Sequence, residues 1–248
     1  MRMGACSDTG KVRKINEDSF FSYRNDLLIG AMVADGMGGH AKGEVASKMA
    51  TMIVKDHIIR KFNPDMDHVE LGEMIRRALI EANAEIYEYA RRKEDASGMG
   101  TTASMAFIYK DKLIVVHVGD SRVYTVKNGE IQQITTDHSL VQELLSRGRI
   151  TSDDAKNHPQ KNIITRAIGS EPSIKVDVRI VNYNDETVIV SSDGLTNLVS
   201  DKQIMEIISE CDDLQEGTEA LVALANKKGG PDNITCIAFD RKKDENKF

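Results

Sequence analysis

The stretch Leu27–Gly36, LLIGAMVADG, is a continuous apolar run that ends at an aspartate followed by a glycine. A run of this length without polar alternation is typical of a strand that is buried on both faces, and Asp-Gly is a common turn sequence. We therefore predict a central strand that ends at Asp35. The sequence that follows this strand indicates which helices and strands pack around it.

Two helical patterns follow this strand. Apolar residues recur at helical spacing over residues 44–62 and again over residues 69–90, and Asn63-Pro64-Asp65 separates the two segments. We predict two long helices that lie side by side.

Beyond Gly98-Met99-Gly100 the pattern changes to short β-rich runs at 101–109, 112–118, 122–126 and 130–134. Asn128-Gly129 stands where a two-residue hairpin turn belongs, so we predict an antiparallel meander. A helix and an irregular excursion are predicted over 140–169. The later strands are predicted at 174–181, 187–191 and 233–239, and the later helices at 202–210 and 215–227. Runs of strands beside runs of helices favour a layered α+β fold in one domain, residues 1–240, with a charged tail at 241–248.

Composition excludes several classes of protein. The 248 residues include 33 Lys+Arg and 39 Asp+Glu, a net charge of −6, so the chain lacks the basic surface of a general nucleic-acid binder. No apolar run approaches the roughly 20 residues of a membrane-spanning helix, and the first residues lack the apolar core of a signal peptide. The three cysteines show no CxxC spacing, which argues against a disulfide framework or a zinc site. We expect a cytoplasmic monomer that binds neither nucleic acid nor membrane.

Aspartates stand at or just beyond apolar strands, beside glycine or proline, in four places: Asp35, Asp120, Asp193 and Asp232. A fifth acidic pair is Glu17-Asp18. Each Asp-Gly alone is ordinary turn chemistry. Because the strands pack together, however, their ends bring several carboxylates near one another, and such carboxylates require a cation.

Oxygen ligands without cysteine select hard ions, Mg²⁺ or Mn²⁺. Two such ions about 3.5–4 Å apart form a common device for phosphoryl hydrolysis. From the residue types alone, a two-metal phosphoryl site therefore stands as a hypothesis beside the turn interpretation.

Six segments, in order along the chain, carry a resemblance to a known family. The chain resembles the metal-dependent protein serine/threonine phosphatases of type 2C, in their compact bacterial form, over nearly its whole length. Any one of the segments would be a weak signal, but their order and spacing together are specific. The segments are Thr9–Asp18, Val33–His40, Gly100–Ala103, Val118–Arg122, Ile189–Leu195 and Gly230–Thr235.

The resemblance implies a central β-sandwich of two antiparallel sheets, flanked on both sides by pairs of helices, with a small flap at about residues 145–168 beside the active site. It implies two or three divalent ions, Mn²⁺ or Mg²⁺, and assigns ligands to them. Asp35 would bridge two ions, Asp193 and Asp232 would complete the first site, and the Gly36 carbonyl and Glu17 would serve the second. Asp18 would hold metal-bound waters, and Asp120 with Asp193 would hold a third ion or, alternatively, only orient water.

The same resemblance assigns Arg13 to the substrate phosphate, and a planar guanidinium is suited to hold two phosphoryl oxygens. His40 would protonate the departing alkoxide. In many members of the family the histidine directly follows Asp-Gly, whereas His40 comes five residues after Asp35. The implied reaction is in-line attack by a metal-bridging hydroxide on phosphoserine or phosphothreonine of a protein substrate, opposing a bacterial Ser/Thr kinase.

Three other interpretations remain. Gly36–Ala41 fits a G-x-G-x-x-A dinucleotide fingerprint, but Asp56, the acid at the required distance, falls inside a predicted helix. A non-catalytic module of the same fold, which binds phosphoproteins or metals, would be expected to lack a metal acid, and none is lost. A branch of the superfamily that dephosphorylates anti-sigma-antagonist proteins usually forms part of larger sensor chains.

Overall fold

The computed structural model describes residues 1–38 and 42–242, without the side chains of residues 152, 156 and 157. The strands are β1 Arg2–Asp8, β2 Asp18–Arg24, β3 Leu28–Met37, β4 Gly100–Thr101, β5 Ala103–Tyr109, β6 Lys112–Val118, β7 Arg122–Lys127, β8 Glu130–Gln133, β9 Asp177–Asn182, β10 Thr187–Ser191 and β11 Ile234–Asp240. The helices are α1 Gly43–Lys61, α2 His68–Arg92, α3 Leu140–Ser146, α4 Ser152–Asn157, α5 Asp193–Thr196, α6 Asp201–Glu210 and α7 Leu214–Lys227.

The strands of the described residues form two antiparallel sheets. One has the order β2-β3-β5-β6-β9, with β4 paired to β3, and the other has the order β1-β11-β10-β7-β8. The predicted central strand is β3, which lies between β2 and β5 and is buried along most of its length.

The apolar side chains divide into three layers. Strand β10 contributes side chains to two of these layers, because successive side chains of a strand point to opposite faces of the sheet. Val188 and Val190 lie in the layer between the two sheets, whereas Ile189 lies against the helices on the outer face. A third layer joins the other sheet to α1 and α2, with Leu79 and Phe107 among its buried members.

Each outer layer has its own helices. Helices α1 and α2 pack against each other and cover the sheet that contains β3, while α6 and α7 cover the sheet that contains β10. Helix α2 begins with a capping box, since Asp67 accepts from the backbone N–H of Glu70 and the Glu70 side chain accepts from the N–H of Asp67. The predicted sandwich flanked by helix pairs is confirmed.

The predicted meander is wrong in one respect. Asn128-Gly129 does join β7 and β8, with both residues at positive φ. However, β5 and β6 belong to one sheet and β7 and β8 to the other, so the chain changes sheets between Val118 and Arg122. Apolar runs predict strands but do not say which sheet a strand joins.

Four elements have no counterpart in the predictions: strands β1 and β2 and the short helices α4 and α5. Strand β1 carries Met3 and Ala5 toward the inter-sheet layer, but its small and polar neighbours hide the alternation. Strand β2 is likewise mostly polar. Helix α4 begins at a Thr151–Asp154 capping box inside the excursion that was predicted to be irregular. In the described ranges no helix is long and apolar enough to cross a membrane.

Candidate active site

Asp18 and Asp35 are direct partners across strands β2 and β3. The backbone of Asp35 is held by two threonines: its N–H donates to Thr102 Oγ1 at 2.9 Å, and its carbonyl accepts from Thr101 Oγ1 at 2.9 Å. The pairing of the strands therefore brings two partly buried aspartates together at the end of the apolar run that the sequence singled out.

Hydroxyl groups from the opposite sheet fix the Asp18 carboxylate. Its Oδ2 accepts from Ser192 Oγ at 2.7 Å and from Thr235 Oγ1 at 2.6 Å. Ser192 stands just after β10 and Thr235 lies in β11. Asp18 thus joins the ends of the two sheets. Both hydroxyl residues lie in segments that carry the family resemblance, but no local pattern marks either as a partner of Asp18.

Asp193 is the first residue of α5, and only Ser192 separates it from β10. Its Oδ2 accepts from Asn197 Nδ2 at 3.0 Å, and its carboxyl group also lies within hydrogen-bonding reach of the Asp35 carboxyl. Two carboxyl groups this close share a proton or need a cation between them.

Gly36 permits a close approach of three chain segments. Its N–H donates to the carbonyl of Glu17 at 3.1 Å, and a Cβ at this position would lie 2.6 Å from the Glu17 carbonyl oxygen and 2.3 Å from that of Gly43. Any larger residue would push these backbones apart. The small residue therefore keeps Glu17 beside the end of β3.

Burial and mutual repulsion raise the pKa values of the clustered carboxyl groups. Burial is the larger cause in each case, and the charges of neighbouring carboxylates add to it. The pKa of Asp18 rises to about 7 and that of Asp120 to about 8. The pKa of Asp35 lies well above its usual range, and that of Asp193 is also raised. Asp120 and Asp232 are among the charges that Asp35 experiences, so these aspartates form one electrostatic cluster.

The donor set fits a hard divalent cation. Asp18 Oδ1 and Asp120 Oδ1 are buried, and no group among the described residues hydrogen-bonds to either. Buried oxygens without partners and repelling carboxylates are both relieved by a cation with oxygen ligands. Within 1–38 and 42–242, no three His, Cys, Asp or Glu side chains already have the arrangement of a metal site. The carboxylates of the described residues are close enough to interact electrostatically, but they do not surround a single ion position.

Arg13 lies at the edge of this cluster. Its Nε is 3.0 Å from Asp232 Oδ1, its Nη2 donates to Asp232 Oδ2 at 3.0 Å, and its Nη1 is 3.9 Å from Glu17 Oε2. About half of the Arg13 side chain is exposed. The guanidinium is thus at the open rim of the acidic cluster.

The positive charge of Arg122 also acts on Asp120 and Asp193, but its guanidinium is bound by other side chains. Its Nε contacts both Asp137 oxygens at 3.0 Å, and its Nη1 donates to Tyr124 Oη at 3.1 Å. Asp137 lies on no apolar run and beside no glycine, so no sequence signal identified it.

A cleft of about 650 Å³ opens beside Asp120 and Asp193. Helix α3 and the following excursion line one side, where Val141 and Leu145 contribute apolar surface, and Leu198 lies on the other side. The segment predicted as a flap therefore borders the acidic cluster.

The structure brings most of the predicted site residues to one end of the sandwich. They are Arg13, Glu17, Asp18, Asp35, Gly36, Asp120, Asp193 and Asp232. His40, the predicted proton donor, lies outside the described residues.

Known proteins resemble this chain over almost its full length. The serine/threonine phosphatase stp of Listeria monocytogenes serovar 1/2a is 39% identical over 237 residues, which are 95% of this chain and 94% of that protein. The protein phosphatase PhpP of Streptococcus pneumoniae R6 is 38% identical over 251 residues, 99% of each chain.

Solved structures agree with the sequence relatives. The Mycobacterium tuberculosis serine/threonine phosphatase PstP/Ppp superposes with a TM-score of 0.87 at 35% identity and covers 98% of this chain and 99% of its own. A PstP catalytic domain in complex with two manganese ions gives a TM-score of 0.81 at 34% identity, covering 96% of this chain and 97% of its own. The family model described as protein phosphatase 2C matches residues 11–228. The chain therefore belongs to the protein phosphatase 2C family.

Proposed function

We propose that this protein is a metal-dependent serine/threonine phosphatase that hydrolyses phosphoserine and phosphothreonine on proteins. The observation that carries this proposal is the carboxylate cluster at the strand ends, in which Asp18 and Asp120 each present a buried oxygen that has no hydrogen-bond partner in the part of the chain that the structure describes. Every residue that we propose as a metal ligand is present in the chain, which disfavours the non-catalytic alternative.

Two or three ions, Mn²⁺ or Mg²⁺, are proposed as the cofactors. Asp35, Asp193 and Asp232 would hold the first, and Asp35, the Gly36 carbonyl and Glu17 the second. Asp18 would orient bound water, and Asp120 with Asp193 would hold a third. The ions would supply an acidified water and neutralise the phosphoryl charge.

Two side chains of the protein would bind the substrate phosphate and protonate the leaving group. Arg13, exposed at the rim of the cluster, would bind two phosphoryl oxygens with its planar fork and so orient phosphorus for in-line attack. His40 is proposed to protonate the serine or threonine oxygen as it leaves, because an alkoxide is a poor leaving group. No side chain needs to become phosphorylated in this scheme.

The cleft beside Asp120 suits a polypeptide substrate. Its apolar lining at Val141 and Leu145 would contact residues next to the phosphorylated one. We propose residues 145–168 as the flap of a single domain that spans residues 1–240, with 241–248 as a tail. We further propose a cytoplasmic monomer that acts on proteins phosphorylated by a Ser/Thr kinase.

The test is phosphate release from phosphothreonine, phosphoserine and phosphotyrosine peptides, with Mn²⁺, with Mg²⁺ and with EDTA. We expect release from the first two peptides with either ion, little from the third, and none with EDTA. Binding of the phosphothreonine peptide without turnover under any divalent ion would instead identify a binding module.

A further inference from the structure

Asn233 follows Asp232 and is 4% exposed. Its Oδ1 accepts from the N–H of Glu17 at 2.7 Å, and its Nδ2 donates to the carbonyls of Thr9 at 2.9 Å and Ile15 at 3.0 Å. One buried amide therefore bonds three backbone groups of a segment more than two hundred residues away in sequence.

These three bonds enclose the segment that contains Arg13. Thr9 precedes Arg13, whereas Ile15 and Glu17 follow it. A further bond, from the N–H of Lys11 to the carbonyl of Gly230 at 2.7 Å, ties the same segment to the loop before Asp232. About half of the Arg13 side chain is exposed, and its guanidinium contacts Asp232, so its place beside the cluster depends on how this backbone is held as well as on that ion pair.

Only an amide supplies this combination of one acceptor and two donors. Aspartate has the same shape but would place an acceptor oxygen, in the position of Nδ2, against the carbonyls of Thr9 and Ile15. Alanine would remove the partner of three partly buried backbone groups. The choice of asparagine is therefore specific to these contacts.

We propose that Asn233 is a positioning residue that holds the segment 9–17 so that Arg13 and Glu17 face the acidic cluster. This inference rests on the proposed function for its kinetic consequence, but its structural consequence is independent of catalysis. Asn233 does not contact the reacting phosphate; it acts through the backbone of the segment.

Asn83 provides a matched control. It is also a buried amide, 1% exposed, and it likewise joins distant backbone: its Oδ1 accepts from the N–H of Gly169 at 2.8 Å, and its Nδ2 donates to the carbonyl of Glu171 at 3.0 Å. The loss of a buried amide should affect stability in both variants, so a difference in phosphate handling isolates the positioning role.

The first measurement compares Asn233→Ala and Asn83→Ala with p-nitrophenyl phosphate and Mn²⁺. For Asn233→Ala we expect KM, and the inhibition constant for inorganic phosphate, to rise about tenfold with a smaller change in kcat. Asn83→Ala should leave both constants near wild type. In an Arg13→Ala background at saturating Mn²⁺, Asn233→Ala should raise KM little further, because the contact of Arg13 to phosphate is already absent. Unchanged KM in Asn233→Ala, or full additivity with Arg13→Ala, would overturn the proposal.

The second measurement needs no activity. Amide hydrogen exchange followed by mass spectrometry should show faster exchange in residues 9–17 of Asn233→Ala but not of Asn83→Ala. Equal exchange in the two variants would refute the positioning role even if the wild type is an active phosphatase. If the wild type shows no turnover, the exchange result still decides the inference. Should Asn233→Ala fail to fold, Asn233→Asp, which keeps the acceptor and loses both donors, takes its place in both measurements.

Discussion

Arg13 and Asp232 form a two-point ion pair, with Nε 3.0 Å from Oδ1 and Nη2 3.0 Å from Oδ2. This pairing matches the two parallel contacts that a guanidinium makes with a carboxylate or a phosphoryl group. A proposed phosphate ligand and a proposed metal ligand are therefore in direct contact. Because both side chains are partly exposed, the pair itself contributes little to stability, and its significance lies in where it directs the guanidinium.

Arg13→Ala is expected to raise KM for an aryl phosphate by about ten- to a hundredfold, since it removes a charge-assisted contact to phosphate. Arg13→Lys should recover only part of this loss, because an ammonium group cannot make the planar two-point contact. Lys14→Ala, which removes the same charge at the next residue, is the matched control and should retain wild-type KM. If Arg13→Ala and Lys14→Ala had equal KM values, the contact would not be specific to Arg13.

Asp193→Asn is expected to abolish metal-dependent turnover and to raise the thermal midpoint of the metal-free protein. Asn removes a buried charge that repels Asp35, so the metal-free cluster loses an unfavourable interaction while it also loses a ligand. Turnover with Mn²⁺ and unfolding in EDTA measure the two effects. The exposed Asp26→Asn should change neither. Substantial Mn²⁺-dependent activity in Asp193→Asn would contradict the assignment.

Asp120→Asn is expected to raise the Mn²⁺ concentration needed for half-maximal activity, measured by titration. It should also change the pH dependence of the metal-free protein. The folded pKa of Asp120 is raised to about 8, from 3.8, so its ionisation opposes folding, and stability is lost as pH rises through that interval. Asparagine does not ionise, so the variant lacks this loss of stability. The variant should therefore gain stability relative to wild type at about pH 8 but not below about pH 4. An unaltered metal titration would remove Asp120 from the site.

The parts of the site that can be predicted from the sequence are those where a charged residue directly adjoins an apolar run. An aspartate that closes or closely follows an apolar run, such as Asp35 or Asp193, stands out because a charged residue lies within a few positions of residues that must be buried. Asp137, which holds Arg122, has no such contrast, because its role arises only when β7 and the segment after β8 pack together.

The same distinction applies to the fold. Helix α2 can be predicted because its apolar residues recur at helical spacing, and strand β6 because it is a continuous apolar run. Strand β1 was missed because it is stabilised by pairing with β11 at the other end of the chain, and its own residues are small or polar. Pairing partners distant in sequence leave no local pattern, so neither β1 nor the change of sheet after β6 could be predicted.

His117→Gln is expected to flatten the loss of stability in acid. His117 is 2% exposed, with Nδ1 2.8 Å from Ser104 Oγ and Nε2 3.2 Å from the Thr136 carbonyl. Burial, with the neighbouring His138, lowers its pKa to about 3 from 6.5. Between these values the unfolded chain binds a proton that the folded protein excludes, so stability falls as pH falls, by about 1.4 kcal/mol per pH unit.

Urea unfolding at about pH 7 and about pH 5 measures this contribution as a difference between proteins. The wild type should lose about 2 kcal/mol more than His117→Gln over this range, because only the wild type has the excluded proton at this position. The raised pKa values of the carboxyl groups act with the opposite sign, but they are common to both proteins and cancel in the comparison. His68→Gln, at a partly exposed position at the start of α2, is the control and should follow the wild type. Parallel pH profiles for His117→Gln and wild type would show that His117 takes up a proton in the folded protein.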